Sequence, residues 1–171
     1  MLLILGGLPG TGKTTIARSL CGHIGAMHLR IDSIEQAIRI WAQSGVSLDD
    51  VGYRVAYAIA EENLRLGISV VADSVNPLSI TRDAWRAVGQ RSRTRIHEVE
   101  ITCSNLEEHR RRVEGRTADI PNHELPTWRD VVSREYETWS GDHLVIDTAV
   151  TRVEESVEIL RKLVQSPDSG A

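Results

Sequence analysis

The stretch Gly7-Leu8-Pro9-Gly10-Thr11-Gly12-Lys13-Thr14 follows the apolar run Leu2-Leu3-Ile4-Leu5 and opens a helix-like segment near Lys13. Its pattern, G-x-x-x-x-G-K-[ST], is that of a phosphate-binding loop. Glycine is needed there because a side chain would keep the backbone from wrapping an anion, and because such turns use positive φ. The loop N–H groups then serve as the ligand, and the N-terminal partial charge of the following helix adds to them. Lys13 supplies a full charge near the β and γ oxygens of a nucleotide, and the Thr14 hydroxyl is placed to ligate Mg²⁺. Gly7 to Thr14, together with Thr15, form the candidate ATP site. Lys13 is expected to be directed to the surface rather than packed in the core.

Moving a phosphoryl group out of such a clamp requires a metal, an acceptor hydroxyl held in line, and cations that settle the charge on the moving group. Asp73 ends the apolar run Val70-Val71-Ala72 and is the candidate acid for Mg²⁺, in the manner of a Walker-B strand; the alternative is a turn cap. Asp32 follows Ala26 to Ile31 and is placed either to take the proton of an acceptor hydroxyl or to cap the helix beginning at Ile34. Arg112 and Arg116 are spaced to share one helical face and are candidates for phosphate contact, with Arg110 and Arg111 as alternatives. Trp41, Tyr53 and Tyr57 could stack on an acceptor, although large aromatics at helical spacing more often belong to the core. Arg82, Arg86, Arg91, Arg93 and Arg95 read as a solvated surface, with a nucleic-acid groove as the alternative.

These residues must be carried by a scaffold. A chain of 171 residues, 41% hydrophobic and 26% charged, fits one domain with a substantial core. The net charge of −4 argues against binding nucleic acid or an anionic membrane through bulk electrostatics. Cys21 and Cys103 have neither the number nor the spacing of a disulfide framework or zinc site, so a reducing, cytoplasmic setting is expected. The first residues lack the basic flank of a signal peptide, and no apolar run approaches a membrane span.

Periodicity and turn signals predict strands over 2–5, 26–31, 68–72, 95–102 and 143–147. Helices are expected over 14–24, 34–42, 48–66, 78–88, 127–139 and 151–164, with another running from a capping pattern at 104–107 to about Gly115. The 48–66 helix is apolar around most of its circumference, which predicts burial on two sides. Residues 116–127 contain Pro121 and Pro126 and are the lid candidate, while 165–171 read as a flexible tail after a domain spanning 1–164. The alternation is that of an α/β protein: a five-stranded parallel sheet with helices on both faces, and ligands at the carboxyl ends of the strands.

On Gly7 to Thr14, Leu29-Arg30-Ile31-Asp32-Ser33, Val70-Val71-Ala72-Asp73-Ser74-Val75-Asn76 and Arg112 to Arg116, the chain resembles the small P-loop kinases grouped with chloramphenicol phosphotransferase, zeta toxins and polynucleotide 5′-kinases. The likeness covers roughly residues 1 to 160, and Ile31 to Ala37 looks closest to the chloramphenicol phosphotransferase form. The resemblance implies a three-layer P-loop NTPase fold. In it the strand before Asp32 lies at an edge, the strand of Asp73 comes next, and the loop strand follows. It also implies Asp32 as the acceptor-activating aspartate and Arg112 and Arg116 as lid arginines.

The expected function is transfer of the ATP γ-phosphoryl group, with Mg²⁺, to a hydroxyl of a small molecule. Segment 41–63 carries Arg54 as its only cation against Asp49, Asp50, Glu61 and Glu62, which favours a neutral or cationic acceptor over a nucleic-acid strand. A polynucleotide 5′-hydroxyl kinase and an ATP-hydrolysing switch acting through a partner are the alternatives.

Overall fold

The computed structural model describes residues 1–41 and 50–166. The strands are β1 (Leu2–Gly6), β2 (Met27–Arg30), β3 (Val70–Asp73), β4 (Ile96–Thr102) and β5 (Leu144–Asp147). They form one parallel sheet in the order β2-β3-β1-β4-β5. The helices are α1 (Lys13–Ile24), α2 (Ile31–Trp41), α3 (Val51–Arg65), α4 (Ser79–Arg91), α5 (Leu106–Gly115), α6 (Trp128–Val132) and α7 (Val153–Gln165).

β1 is central because its side chains are apolar on both faces, as a parallel strand covered on both sides requires. Leu3 and Leu5 pack with Ile16 and Leu20 of α1 and Leu160 of α7, while Leu2 and Ile4 pack with Ala60 of α3 and Trp85 of α4. Leu2, Leu3, Ile4 and Leu5 are all 0% exposed, each contributing about 1.5–3 kcal/mol of burial free energy. Register places Leu5 beside Asp73 and Asp73 beside Arg30, so the strand tips that carry the candidate site lie side by side.

Several elements differ from the expectations. α2 begins at Ile31, so Asp32 lies inside its first turn rather than ahead of it, where a carboxylate complements the helix dipole. The expected ends of the flanking helices at Ala42 and Leu48 fall outside the described residues. α3 fully buries the stripe Gly52, Ala56, Ala60 and Leu64, with Gly52 against Glu35 of α2 and Tyr57 against Trp85 of α4 on its flanks, while Val55 faces outward at 37% exposure. Helix α5 is capped by Asn105, whose side chain accepts from the Glu108 N–H at 3.0 Å. Gln165 belongs to α7, and the remainder of the expected tail, 167–171, is outside the described residues.

The helix expected over 127–139 is only five residues long. A capping box between Thr127 and Asp130 starts it, and the chain then leaves the helix to lay Trp139 across the end of β1. A Cβ on Gly6 would lie 2.2 Å from the Trp139 ring, so the approach needs glycine. Arg82 supports this irregular segment and is not a solvated residue: it is 2% exposed and donates to Glu137 O at 3.1 Å. Its guanidinium also lies 4.9 Å from the Trp139 ring centroid. Carbonyls outside regular structure need donors, and a buried arginine supplies them. Arg86 pairs with Glu98 and Asp83, and Arg91 with Glu61, so these members of the basic run do not form an open groove. Among the described residues no helix is long and apolar enough to cross a membrane.

Candidate nucleotide and acceptor site

The loop between β1 and α1 has the backbone its glycines predict. Gly7, Gly10 and Gly12 have φ of 133°, 86° and 98°. A Cβ on Gly7 would lie 2.1 Å from the Ile101 carbonyl oxygen, and one on Gly10 would lie 2.5 Å from Val113. The loop is braced from α5 by His109, 4% exposed, whose Nε2 lies 2.8 Å from Pro9 O. It is braced from the β3–α4 connection by the Gly7 N–H, which donates to Val75 O at 3.0 Å.

Lys13 is buried, not surface-directed: it is 7% exposed and its Nζ donates to Leu8 O at 2.9 Å. The same carbonyl accepts from the Thr11 hydroxyl at 3.0 Å, so the loop closes over its own lysine. Burial lowers the Lys13 pKa to about 8, against the opposing charges of Asp73 and Asp32. An arriving anion would favour the ammonium form further.

Asp73 at the tip of β3 is 3% exposed. It accepts from the Thr14 hydroxyl, and His28 Nε2 lies 3.0 Å from its Oδ2. Burial raises its pKa, but His28, the Lys13 charge and Thr14 outweigh burial and hold it below the usual carboxylate value. The Thr14 hydroxyl and the Asp73 carboxylate form an adjacent oxygen pair, the donor type a hard cation such as Mg²⁺ takes. The positive φ at Gly7, Gly10 and Gly12 gives the loop the backbone that wraps a phosphate chain. Thr15 is exposed on the first turn of α1.

Asp32 has 40% of its side chain exposed and accepts from Arg30 Nη2 at 3.3 Å. Arg30, 9% exposed, donates through Nη1 to Asp119 Oδ2 at 2.8 Å. Asp119 belongs to the 116–127 connection and also accepts from Arg18 at 2.5 Å. The hydrogen bond from Arg30 holds its pKa down to about 2, with Arg18 adding to the effect. The same connection is tied to α2 by Gln36, which donates to Pro121 O at 3.1 Å.

Arg112 and Arg116 do not share a helical face. α5 ends at Gly115, and Arg116 is its C-cap with extended backbone, φ −79° and ψ 148°. Arg112 turns toward the β5–α7 connection, donating to Thr148 Oγ1 at 2.9 Å and Thr148 O at 3.0 Å. The Thr148 hydroxyl in turn donates to Thr11 O at 2.9 Å. Arg116 turns the other way: burial lowers its pKa, while Asp32 and Asp119 raise it and Arg30 lowers it. Arg110 and Arg111 are exposed and pair with Glu114 and Glu108.

Of the aromatics, Trp41 is 87% exposed. Tyr57 belongs to the core, edge-on to Trp85 at 4.7 Å with its hydroxyl donating to Thr81 O. Tyr53 accepts from the Asn76 N–H at 3.3 Å and feels the charges of Glu35 and Asp32. Sequence reasoning missed His28, Arg30, Asp119 and Thr148. Its one usable signal was the alternation His28-x-Arg30, which puts polar residues on one side of a strand leading to Asp32.

The chain matches the family model described as AAA domain over residues 2–134 and belongs to that family. Its fold is the P-loop kinase-like one, shared with solved structures at low identity. The Mycobacterium tuberculosis APS kinase CysC, in complex with AMPPNP and APS, is 16% identical over 96% of this chain and 97% of that one, with a TM-score of 0.70. Kti12 from Chaetomium thermophilum, in complex with ADP-AlF3, is 16% identical over 97% of this chain and 100% of its own, with a TM-score of 0.71. A gluconokinase from Sinorhizobium meliloti 1021 is 18% identical over 94% of this chain and 91% of its own, with a TM-score of 0.62. Among curated proteins none matches the chain.

Proposed function

We propose that this chain is an ATP-dependent phosphotransferase that moves the γ-phosphoryl group to a hydroxyl of a small molecule. The observation that carries the reading is the contrast between two carboxylates whose charges both act on Lys13. Asp73 is 3% exposed and tied to Thr14, whereas the Asp32 side chain is 40% exposed and open to a second reactant. The kinase names of two of the solved structures that share the fold support the reading.

Lys13 and the N–H groups that the Gly7 to Thr15 loop does not spend internally hold the phosphates; the Gly7 N–H is used on Val75 O and Pro9 has none. Thr14 and Asp73 would hold Mg²⁺, which supplies charge neutralisation on the phosphate oxygens when bound. Asp32 takes the proton of the acceptor hydroxyl. That oxygen bonds to the γ-phosphorus as the bond to the β–γ bridging oxygen breaks, and ADP leaves with the electron pair. Arg116 faces the charge spread over the moving group, while Arg112 joins the β5–α7 connection to the phosphate loop. Residues 1–164 would act as one kinase domain with 116–127 as its lid, in the manner of the chloramphenicol phosphotransferase group. Buried free Cys21 and Cys103 support a cytoplasmic setting.

The test is label transfer from γ-labelled ATP to a panel of hydroxylated metabolites and antibiotics, beside a 5′-hydroxyl oligonucleotide at low and high salt. A labelled small molecule supports the reading. Salt-sensitive labelling of the oligonucleotide alone would make the chain a polynucleotide 5′-kinase, and ADP release with no labelled acceptor would make it an ATPase.

A further inference from the structure

We infer that Arg30 and Arg116, beside Asp32, bind an oxyanion of the acceptor. The acceptor is then a small hydroxy compound carrying a phosphate, sulfate or carboxylate a few bonds from its reacting hydroxyl. This rests on the proposed function for the role of Asp32.

Burying a guanidinium is costly unless its donors are met. Arg30 is 9% exposed, and its Nε has no hydrogen-bond partner among the described residues. The Nε of Arg116 is likewise without one. These two cations feel each other's charge and that of Asp32, so two guanidinium groups with unspent donors gather next to the candidate proton acceptor.

A carboxylate already shows what such a group binds. Asp119 accepts from Arg30 at 2.8 Å and from Arg18 at 2.5 Å, the charge-assisted geometry in which arginine recognises an oxyanion. Arg30 holds Asp119 through Nη1 and Asp32 through Nη2. An oxyanion in the place of Asp119 would therefore lie across one guanidinium from Asp32. That spacing sets hydroxyl and anion close together in one molecule. Asp119 can yield, because 40% of its side chain is already exposed. A neutral or cationic acceptor would offer no acceptor oxygen of full charge to the guanidinium groups of Arg30 and Arg116, so the acidic 41–63 segment is a poorer guide to the acceptor than the residues that meet Asp32.

The test is equilibrium dialysis of radiolabelled inorganic phosphate against the full chain, with the loop saturated by AMPPNP and Mg²⁺. The expected result is uptake of one equivalent, tightened about 3–10-fold in Asp119→Asn, which removes the competing charge, and weakened about tenfold or more in Arg30→Gln. Circular dichroism checks folding; if Arg30→Gln does not fold, Arg116→Gln serves for the loss. No uptake by the wild type or by Asp119→Asn, or uptake indifferent to loss of the arginine, would overturn the inference. Dialysis reads without turnover, so the two readings fail separately. Uptake with no acceptor ever labelled sinks the phosphotransferase and keeps the anion site, whereas a labelled neutral acceptor with no uptake does the reverse.

Discussion

His28 Nε2 lies 3.0 Å from Asp73 Oδ2, so the edge strand β2 reaches across to hold the acid at the tip of β3. The register pairs Asp73 with Arg30, which leaves His28 to reach it from two residues earlier on β2. With Thr14 on its other side, the carboxylate has little freedom to turn. Loss of the imidazole in His28→Ala should raise the Mg²⁺ concentration needed for half-maximal label transfer about tenfold, as loss of a partner behind a metal-binding group typically does. His28→Asn, which retains a donor, should recover part of it. An unchanged Mg²⁺ requirement would remove His28 from the site.

Lys13→Ala should lower turnover about 10²–10³-fold and weaken ATP binding. Because the ammonium is 7% exposed, its removal relieves desolvation while losing the bond to Leu8 O. Stability should therefore shift by no more than about 1–2 kcal/mol. Nucleotide titration and thermal melts on the same sample separate the two effects; normal turnover in a folded variant would sink the central assignment.

Asp32→Asn keeps the size of the side chain and its ability to accept from Arg30, but it cannot take a proton. ATP should bind as before while transfer falls about 10²–10⁴-fold. If transfer survives intact, Asp32 serves only the first turn of α2.

The divergence of Arg112 and Arg116 predicts opposite phenotypes. Arg116→Ala should reduce transfer about 10²–10³-fold with nucleotide affinity within about threefold of wild type. Arg112→Ala removes the donors to Thr148, and should instead cost about 1–3 kcal/mol of stability and weaken ADP binding. Identical profiles for the two variants would contradict the geometry.

Asp119 gives a pH signature. Its pKa is held at about 2 in the fold against 3.8 for the free side chain. In that window the unfolded chain binds more protons, so stability from this group rises with pH there, is complete above about 4, and is lost as pH falls through about 2. With 40% of the side chain exposed the effect is small. Urea unfolding of wild type and Asp119→Asn should show a stability gap that is constant from pH 6 to about 4 and closes toward pH 2; a gap that persists at pH 2 would rule out the ion pairs as its source.

The centre of the fold was legible because its residues obey local rules. Leu2 to Leu5 announce a covered strand, Gly7 to Thr14 announce the loop, and Asp73 follows an apolar run. What was not legible depended on distant partners. Lys13 looks like a surface lysine until the loop folds back over it, and Arg82 looks solvated until Trp139 lies over it. Arg116 shares a face with Arg112 only if the helix ignores Gly115. Asp119 carries no local pattern, since its meaning comes from Arg30 some ninety residues earlier.

The central position of β1 has a bearing on how the chain is made. Leu2 pairs with Val70 on one side and Ile96 on the other. Neither neighbour has been synthesised when β1 leaves the ribosome. At about 5–20 residues per second, the wait for β4 lasts about 5–20 s. Throughout it one edge of this apolar strand lacks its partner and stays open to chaperones or to other nascent chains. A synonymous codon change that slowed elongation between residues 73 and 96 would lengthen that exposure without altering one contact of the finished protein.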